Sequence, residues 1–303
     1  KIEKKETTAK LDDSEKQEIV VKSSKPIAQI KKGDKIKVDS LTLEVDAHIV
    51  LIDHGLTKEM AIECFDPKTD KDLKKNYRPK DHAEAKRENK RFLQRNLGLI
   101  EDAKAPLFFW PSRLDPVQKG CQLLAEIFYG VISTWWNQNL QIVFVANGDH
   151  QRVFQDIVNH HQFHKRVAIC DFSEQMEHLA YAASDFILMP SRFEPCGLPQ
   201  MISPIYGSLP VAHDTGGIHD TIQHLNVAAD TGNGFLFKTF DANGLFWAIS
   251  EAMQFYNLPD RVKALQIKRI MTESAETFTH AHTARQYIDL YEKMLKRPLV
   301  VES

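Results

Sequence analysis

The hydrophobic positions of this chain fall into two textures. Between residues 33 and 52, apolar and polar side chains mostly alternate, with Ile36, Val38, Leu41, Leu43 and Val45 on the apolar beats. Period-two alternation broken at Asp39-Ser40 predicts a β-hairpin, and Ile49-Val50-Leu51-Ile52 predicts a further strand before Asp53-His54-Gly55 punctuates the chain. From residue 107 onward, short continuous apolar runs alternate with segments of helical spacing. Predicted strands are Leu107–Trp110, Gln141–Ala146, Arg166–Cys170, Phe186–Pro190 and Leu209–His213. Predicted helices cover Gln118–Trp135, His150–His160, Ser173–Ala183 and a segment from about Leu198. Before them, a charged helix over His82–Asn96, anchored by Phe92 and Leu93, stops at Gly98. The last ~60 residues are helical by pattern. Strands apolar throughout, alternating with helices, predict an α/β fold with a parallel sheet covered on both faces.

These textures divide the chain into a tail rich in Lys, Glu, Ser and Thr at 1–26, expected to be mobile, a small β unit at 27–58, and an α/β domain at 59–303. Residues 66–82 read as an irregular connector inside that domain.

Composition narrows the function. A net charge of −2 argues against a nucleic-acid partner, and no apolar run reaches the ~20 residues a membrane helix requires. Four scattered cysteines without a C-x-x-C pair suit a reducing compartment, so a cytoplasmic location is expected. No metal is expected either: His160-His161-x-x-His164 lacks the Cys or carboxylate pattern that would complete a site.

In doubly covered parallel sheets, ligands sit beyond the carboxyl ends of the strands. Arg113 and Lys119 flank a strand-to-helix loop and offer a planar fork and a point charge to a diphosphate. Thr215-Gly216-Gly217 opens a helix with bare backbone N–H groups, a place for an anion. Glu194, in a turn flanked by Pro and Gly, can accept from sugar hydroxyls. Taken singly, each has a commoner structural role as a surface charge, a turn or a helix cap; at one sheet edge they favour a site. Cys196 reads as part of a tight turn, and Trp135-Trp136 as a packed helix end.

Several motifs carry a family resemblance. They are Ser112-Arg113-Leu114 with Gln118-Lys119-Gly120, Gly148-Asp149, and Pro190-Ser191-Arg192-Phe193-Glu194-Pro195-Cys196-Gly197-Leu198. Tyr206-Gly207-x-Leu209-Pro210 and Thr215-Gly216-Gly217-x-x-Asp220-Thr221 follow in order. From about Asp66 to its end the chain resembles the C-terminal domain of bacterial glycogen synthases and plant starch synthases, enzymes of the GT-B fold. The resemblance implies a Rossmann-like doubly wound sheet. It implies retaining transfer of glucose from ADP-glucose or UDP-glucose to an α-1,4-glucan, without cofactor, and leaves the donor base open. By resemblance Arg113 and Lys119 stabilise the departing diphosphate and Glu194 holds donor-glucose hydroxyls. Cys196, Gly197, Leu198, Thr215, Gly216 and Gly217 surround sugar or phosphate, Gly148 lines the donor site, and Phe172 flanks the base. A plastid location follows if the source is a plant or alga.

The sequence also departs from the wider pattern. Ile202 stands where many GT-B enzymes place a second acid, eight residues after Glu194, and the glycogen-synthase branch tends to share that loss. Phe278-Thr279-His280 replaces a Phe-Ser-Trp segment. Residues 1–60 carry no Lys-x-Gly-Gly signature of the family's amino-terminal domain, so that domain is expected upstream and the chain alone is expected to be inactive. Two alternatives stay open: a related GT-B transferase making another glucoside or sucrose, and a non-catalytic binding or regulatory module.

Overall fold

The computed structural model describes residues 65–295, together with the strand segments Val21–Lys22, Lys35–Val38 and Leu41–Glu44. Residues 1–57 with 283–303 form one compact unit, and residues 58–282 form the other.

In the first unit, strand β1 (Val21–Lys22) pairs antiparallel with β2 (Lys35–Val38), and β2 pairs antiparallel with β3 (Leu41–Glu44). Val38 lies opposite Leu41, so the hairpin turns where the alternation breaks. β1 falls within the expected tail at 1–26, with Val21 opposite Val38. A two-residue β segment is invisible to periodicity and exists only because a hairpin edge supplies its ladder partners. The strand expected at 49–52 and the turn at 53–55 lie outside the described residues.

The second unit begins with the irregular connector and helix α1 (His82–Asn96), which ends at Gly98 with φ +68°. There follow β4 (Leu107–Trp110), α2 (Cys121–Thr134), β5 (Gln141–Val145), α3 (Gln151–His161), β6 (Val167–Cys170), α4 (Glu174–Ala183) and β7 (Phe186–Met189). The chain continues with α5 (Pro199–Ile205), β8 (Leu209–His213), α6 (Gly216–Thr221), β9 (Phe235–Phe237), α7 (Ala242–Tyr256) and α8 (Asp260–Thr277). Helix α9 (His280–Leu295) begins at the end of this unit, and its residues from 283 on belong to the first.

The six strands β4–β9 are all parallel, in the order β6-β5-β4-β7-β8-β9. The chain winds outward from β4 to β6, then returns to β7 on the other side of β4 and winds outward again to β9. This is the doubly wound topology, and its direction reverses between β4 and β7. Side chains of each strand divide between two cores. Phe108 and Trp110 of β4 join Phe128, Phe144, Phe154 and Ile249 on one face, whereas Leu107 and Phe109 join Leu93, Val143 and Tyr181 on the other. Burial on both faces is why these strands read as unbroken apolar runs.

Three features escaped the hydrophobic pattern. β9 is a three-residue edge strand after Asn233-Gly234, too short to show a period. Helix α2 starts at Cys121 instead of Gln118, because Gly120 takes a left-handed φ of +71°; the other boundaries lie within one residue of expectation. Helix α1 buries polar residues: Leu93 is fully buried as expected, Phe92 is only half-buried, and Lys86, Asn89, Lys90 and Gln94 complete the inner face. Lys86 Nζ donates to the carbonyls of Tyr206 (2.9 Å), Ala182 (3.1 Å) and Tyr181 (3.4 Å), ending two helices at once. Burial pushes this amine down to about 7. Lys90 Nζ reaches Asp185 Oδ2 at 2.6 Å, and that oxygen also accepts from the Leu107 N–H at the start of β4.

Candidate functional site

The loops after β4 and β7 leave the sheet on either side of its reversal point, where an open α/β sheet forms a crevice. They carry Arg113 and Lys119 on one side, Ser191 and Glu194 on the other. Asp115 shapes the first loop, its Oδ1 accepting the N–H groups of Val117 (2.8 Å) and Gln118 (2.9 Å). The Gln118 and Val117 bonds hold the Asp115 carboxyl below the usual carboxylate range. The loops are then stitched together: Arg192 N–H donates to the Gln118 carbonyl at 2.8 Å. Gly120 makes this approach possible, since a Cβ there would stand 1.9 Å from the Pro190 carbonyl oxygen.

At the centre, Lys119 Nζ lies 2.5 Å from Glu194 Oε2, with the two side chains 13% and 8% exposed. Ser191 Oγ donates to the same carboxylate oxygen at 3.1 Å. The resemblance implies phosphate for Lys119 and sugar hydroxyls for Glu194; here the two are paired, because the stitched loops face a lysine stem toward a carboxylate with little water around either. Arg113 is exposed, and its guanidinium makes no hydrogen bond among the described residues.

The Gly216-Gly217 helix start packs against this turn. A Cβ on Gly216 would meet the Glu194 carbonyl oxygen at 2.3 Å, and one on Gly217 the Cys196 carbonyl oxygen at 2.1 Å. Gly217 N–H donates to the Glu194 carbonyl at 2.8 Å, so it is not a free anion donor as expected. The N–H groups of Cys196, Gly197 and Gly216 carry no hydrogen bond among the described residues. Gln200, buried at the start of α5 (N-cap Leu198), ties the turn from within by donating to the Cys196 carbonyl at 2.8 Å. Thr215 is the N-cap of α6 without a side-chain capping bond.

The other expected residues lie toward β5 and β6. Gly148 packs beneath the β4 loop, where a Cβ would meet the Leu114 carbonyl oxygen at 2.5 Å. Phe172, two residues beyond β6, is 52% exposed, and its N–H donates to Asn147 Oδ1 at 3.0 Å. Two strand spacings separate β6 from β4, about 10 Å.

The pattern marked Ser191 at a strand end without assigning it a role, and missed His213. His213, buried at the end of β8, sets its Nδ1 2.8 Å from the Ser191 carbonyl oxygen, with its ring against Phe237 and Phe240. Nothing in the sequence distinguishes a histidine in this role from one that merely ends a strand. The structure also gathers Asp70, Asp72 and His178 closely enough to suggest a metal site. Asp70 Oδ2 already accepts from Tyr206 OH (2.6 Å) and meets His178 Nδ1 (2.8 Å), so the cluster ties the connector to α4 and α5. Burial raises the Asp70 carboxyl, but the His178 and Tyr206 bonds outweigh it and leave the group below its ordinary value. His161 stacks on Phe163 and lies against Tyr129, a packing role. Among the described residues no helix is long and apolar enough to cross a membrane.

Residues 105–254 match the family described as glycosyl transferases group 1. A glycogen synthase of Desulforudis audaxviator is 36% identical over 247 residues, covering 80% of this chain and 47% of that protein. A glycogen synthase of Bacillus subtilis is 34% identical, covering 77% of this chain and 46% of that protein. The chain thus spans about half the length of these curated relatives. The catalytic domain of starch synthase IV from Arabidopsis thaliana, solved bound to ADP and acarbose, superposes with a TM-score of 0.67 at 32% identity, over 78% of this chain and 48% of that one.

Proposed function

We propose that this chain, a member of the glycogen and starch synthase family of group 1 glycosyltransferases, forms the donor-binding half of an enzyme moving glucose from ADP-glucose to an α-1,4-glucan with retention. An amino-terminal domain supplies the rest of the cleft in this reading, and the isolated chain transfers little glucose.

The observation that carries the proposal is the Lys119–Glu194 pair at the sheet's reversal point, beside the exposed Arg113. Arg113 and Lys119 neutralise the diphosphate as its charge grows on leaving, a task that needs no metal when two cations face it. The N–H groups of Cys196, Gly197 and Gly216, unpaired among the described residues, add donors without charge. Donor binding exchanges partners: the diphosphate takes Lys119, and Glu194, still held by Ser191, turns its carboxylate to the sugar hydroxyls. Phe172 flanks the base, and Leu198, Thr215 and Gly148 shape the walls. No cofactor enters, and the compartment is the cytoplasm, or the plastid in a plant or alga.

Calorimetry with ADP and UDP on the wild type and Arg113→Ala tests this. ADP should bind the wild type more tightly than UDP, and Arg113→Ala should weaken it about tenfold or more, the worth of one charge-assisted hydrogen bond. Equal binding by both proteins, or none by the wild type, sinks the assignment.

A further inference from the structure

We propose that the groove beside Trp247, at the carboxyl end of β9, is a second carbohydrate site that holds an α-glucan chain apart from the donor. The proposal rests on the acceptor reading above. The groove is an open hollow of about 340 Å³ lined by Phe237, Lys238, Thr239, Asp241, Asn243 and Trp247. It lies on the same sheet edge as Glu194, two strand spacings from β7, or about 10 Å.

Trp247 is 48% exposed, although its neighbours Ala248 and Ile249 on α7 are fully buried. The indole is held in place. It stacks on His224 with ring centres 5.7 Å apart and planes 22° from parallel. The His224 ring is fixed in turn, its Nδ1 accepting the Leu236 N–H at 3.1 Å. Held this way, the exposed indole keeps an apolar plate facing water.

The side chains of Lys238, Thr239 and Asn243 are exposed and make no hydrogen bond among the described residues. Asp241 caps α7 by accepting the Gly244 N–H at 2.7 Å, and its charge offsets Lys238. A flat plate rimmed by neutral donors and acceptors, with little net charge, matches a pyranose ring and its hydroxyls. It offers too little positive charge for a nucleotide. Trp136, 46% exposed with the Arg166 guanidinium over one face at 3.7 Å, is not among the residues lining this groove and serves as the control tryptophan.

Affinity electrophoresis of the full chain in gels containing glycogen, with dextran as the control polymer, tests the site. Wild type should be retarded by glycogen and not by dextran. Trp247→Ala should bind glycogen at least tenfold more weakly, with its ADP affinity within twofold of wild type by calorimetry. Should Trp247→Ala also lose ADP affinity, the exposed change Asn243→Ala decides in its place, with a severalfold loss expected. Unchanged retardation of the deciding variant, no retardation of wild type, an equal loss in Trp136→Ala, or displacement of glycogen from the groove by ADP overturns the proposal. ADP binding is read separately, so loss of the glucan site and loss of the donor assignment are distinguishable.

Discussion

Lys119 Nζ and Glu194 Oε2 meet at 2.5 Å across the point where the parallel sheet reverses direction. One residue follows β4 and the other follows β7, and the two strands are neighbours although they lie 75 residues apart in sequence at this contact. A pair this poorly hydrated is costly to leave half-made, since either charge alone keeps its desolvation penalty without its partner. Lys119→Met and Glu194→Gln should each cost about 2–3 kcal/mol, and the double variant should lose less than the two together. Urea unfolding of the four proteins measures this, and simple additivity would disprove the coupling.

Two left-handed glycines separate conformational from steric demand. Gly98 has φ +68° with nothing within 4 Å of an added Cβ, whereas Gly120 has φ +71° with the Pro190 oxygen 1.9 Å away. Gly98→Ala should cost about 1–2 kcal/mol, the ordinary penalty of the left-handed region. Gly120→Ala should cost clearly more, because Pro190 is backbone and the two loops must separate. Thermal melts of both variants check the order.

His213 reaches Glu194 only through the Ser191 backbone, which makes it a positioning residue. His213→Phe keeps a ring against Phe237 and Phe240 but removes the polar contact. ADP should bind as in wild type, while ADP-glucose should lose up to about tenfold, the worth of one hydrogen bond. A merely structural role would lower both affinities together, and calorimetry with the two ligands separates the cases.

Lys86 makes stability depend on pH. Its amine is lowered from 10.5 to about 7 in the folded chain, so between those values the unfolded state binds more protons. Its contribution is therefore most favourable above 10.5 and is lost as pH falls toward 7. Relative to Lys86→Met, wild-type stability should rise from pH 7 to pH 9, and a flat difference in melting temperature would contradict the assignment.

The amino-acid sequence alone determined the α/β class, because strands buried on both faces need unbroken apolar runs and the helices between them need their own period. It also placed Arg113, Glu194, Phe172 and the two glycine-bearing turns just beyond strand ends, since Gly, Pro and short polar segments mark where strands stop. Tertiary structure decided the rest, for reasons of distance along the chain. The strand order, with β7 returning to β4, is a pairing choice that no local pattern encodes. From it follow the Lys119–Glu194 contact, the spending of the Gly217 N–H on the Glu194 carbonyl, and the reach of His213 to Ser191. Lys86 and Lys90 look like solvated charges on a polar helix, and they became buried only because carbonyls and Asp185 from distant segments were waiting to accept them.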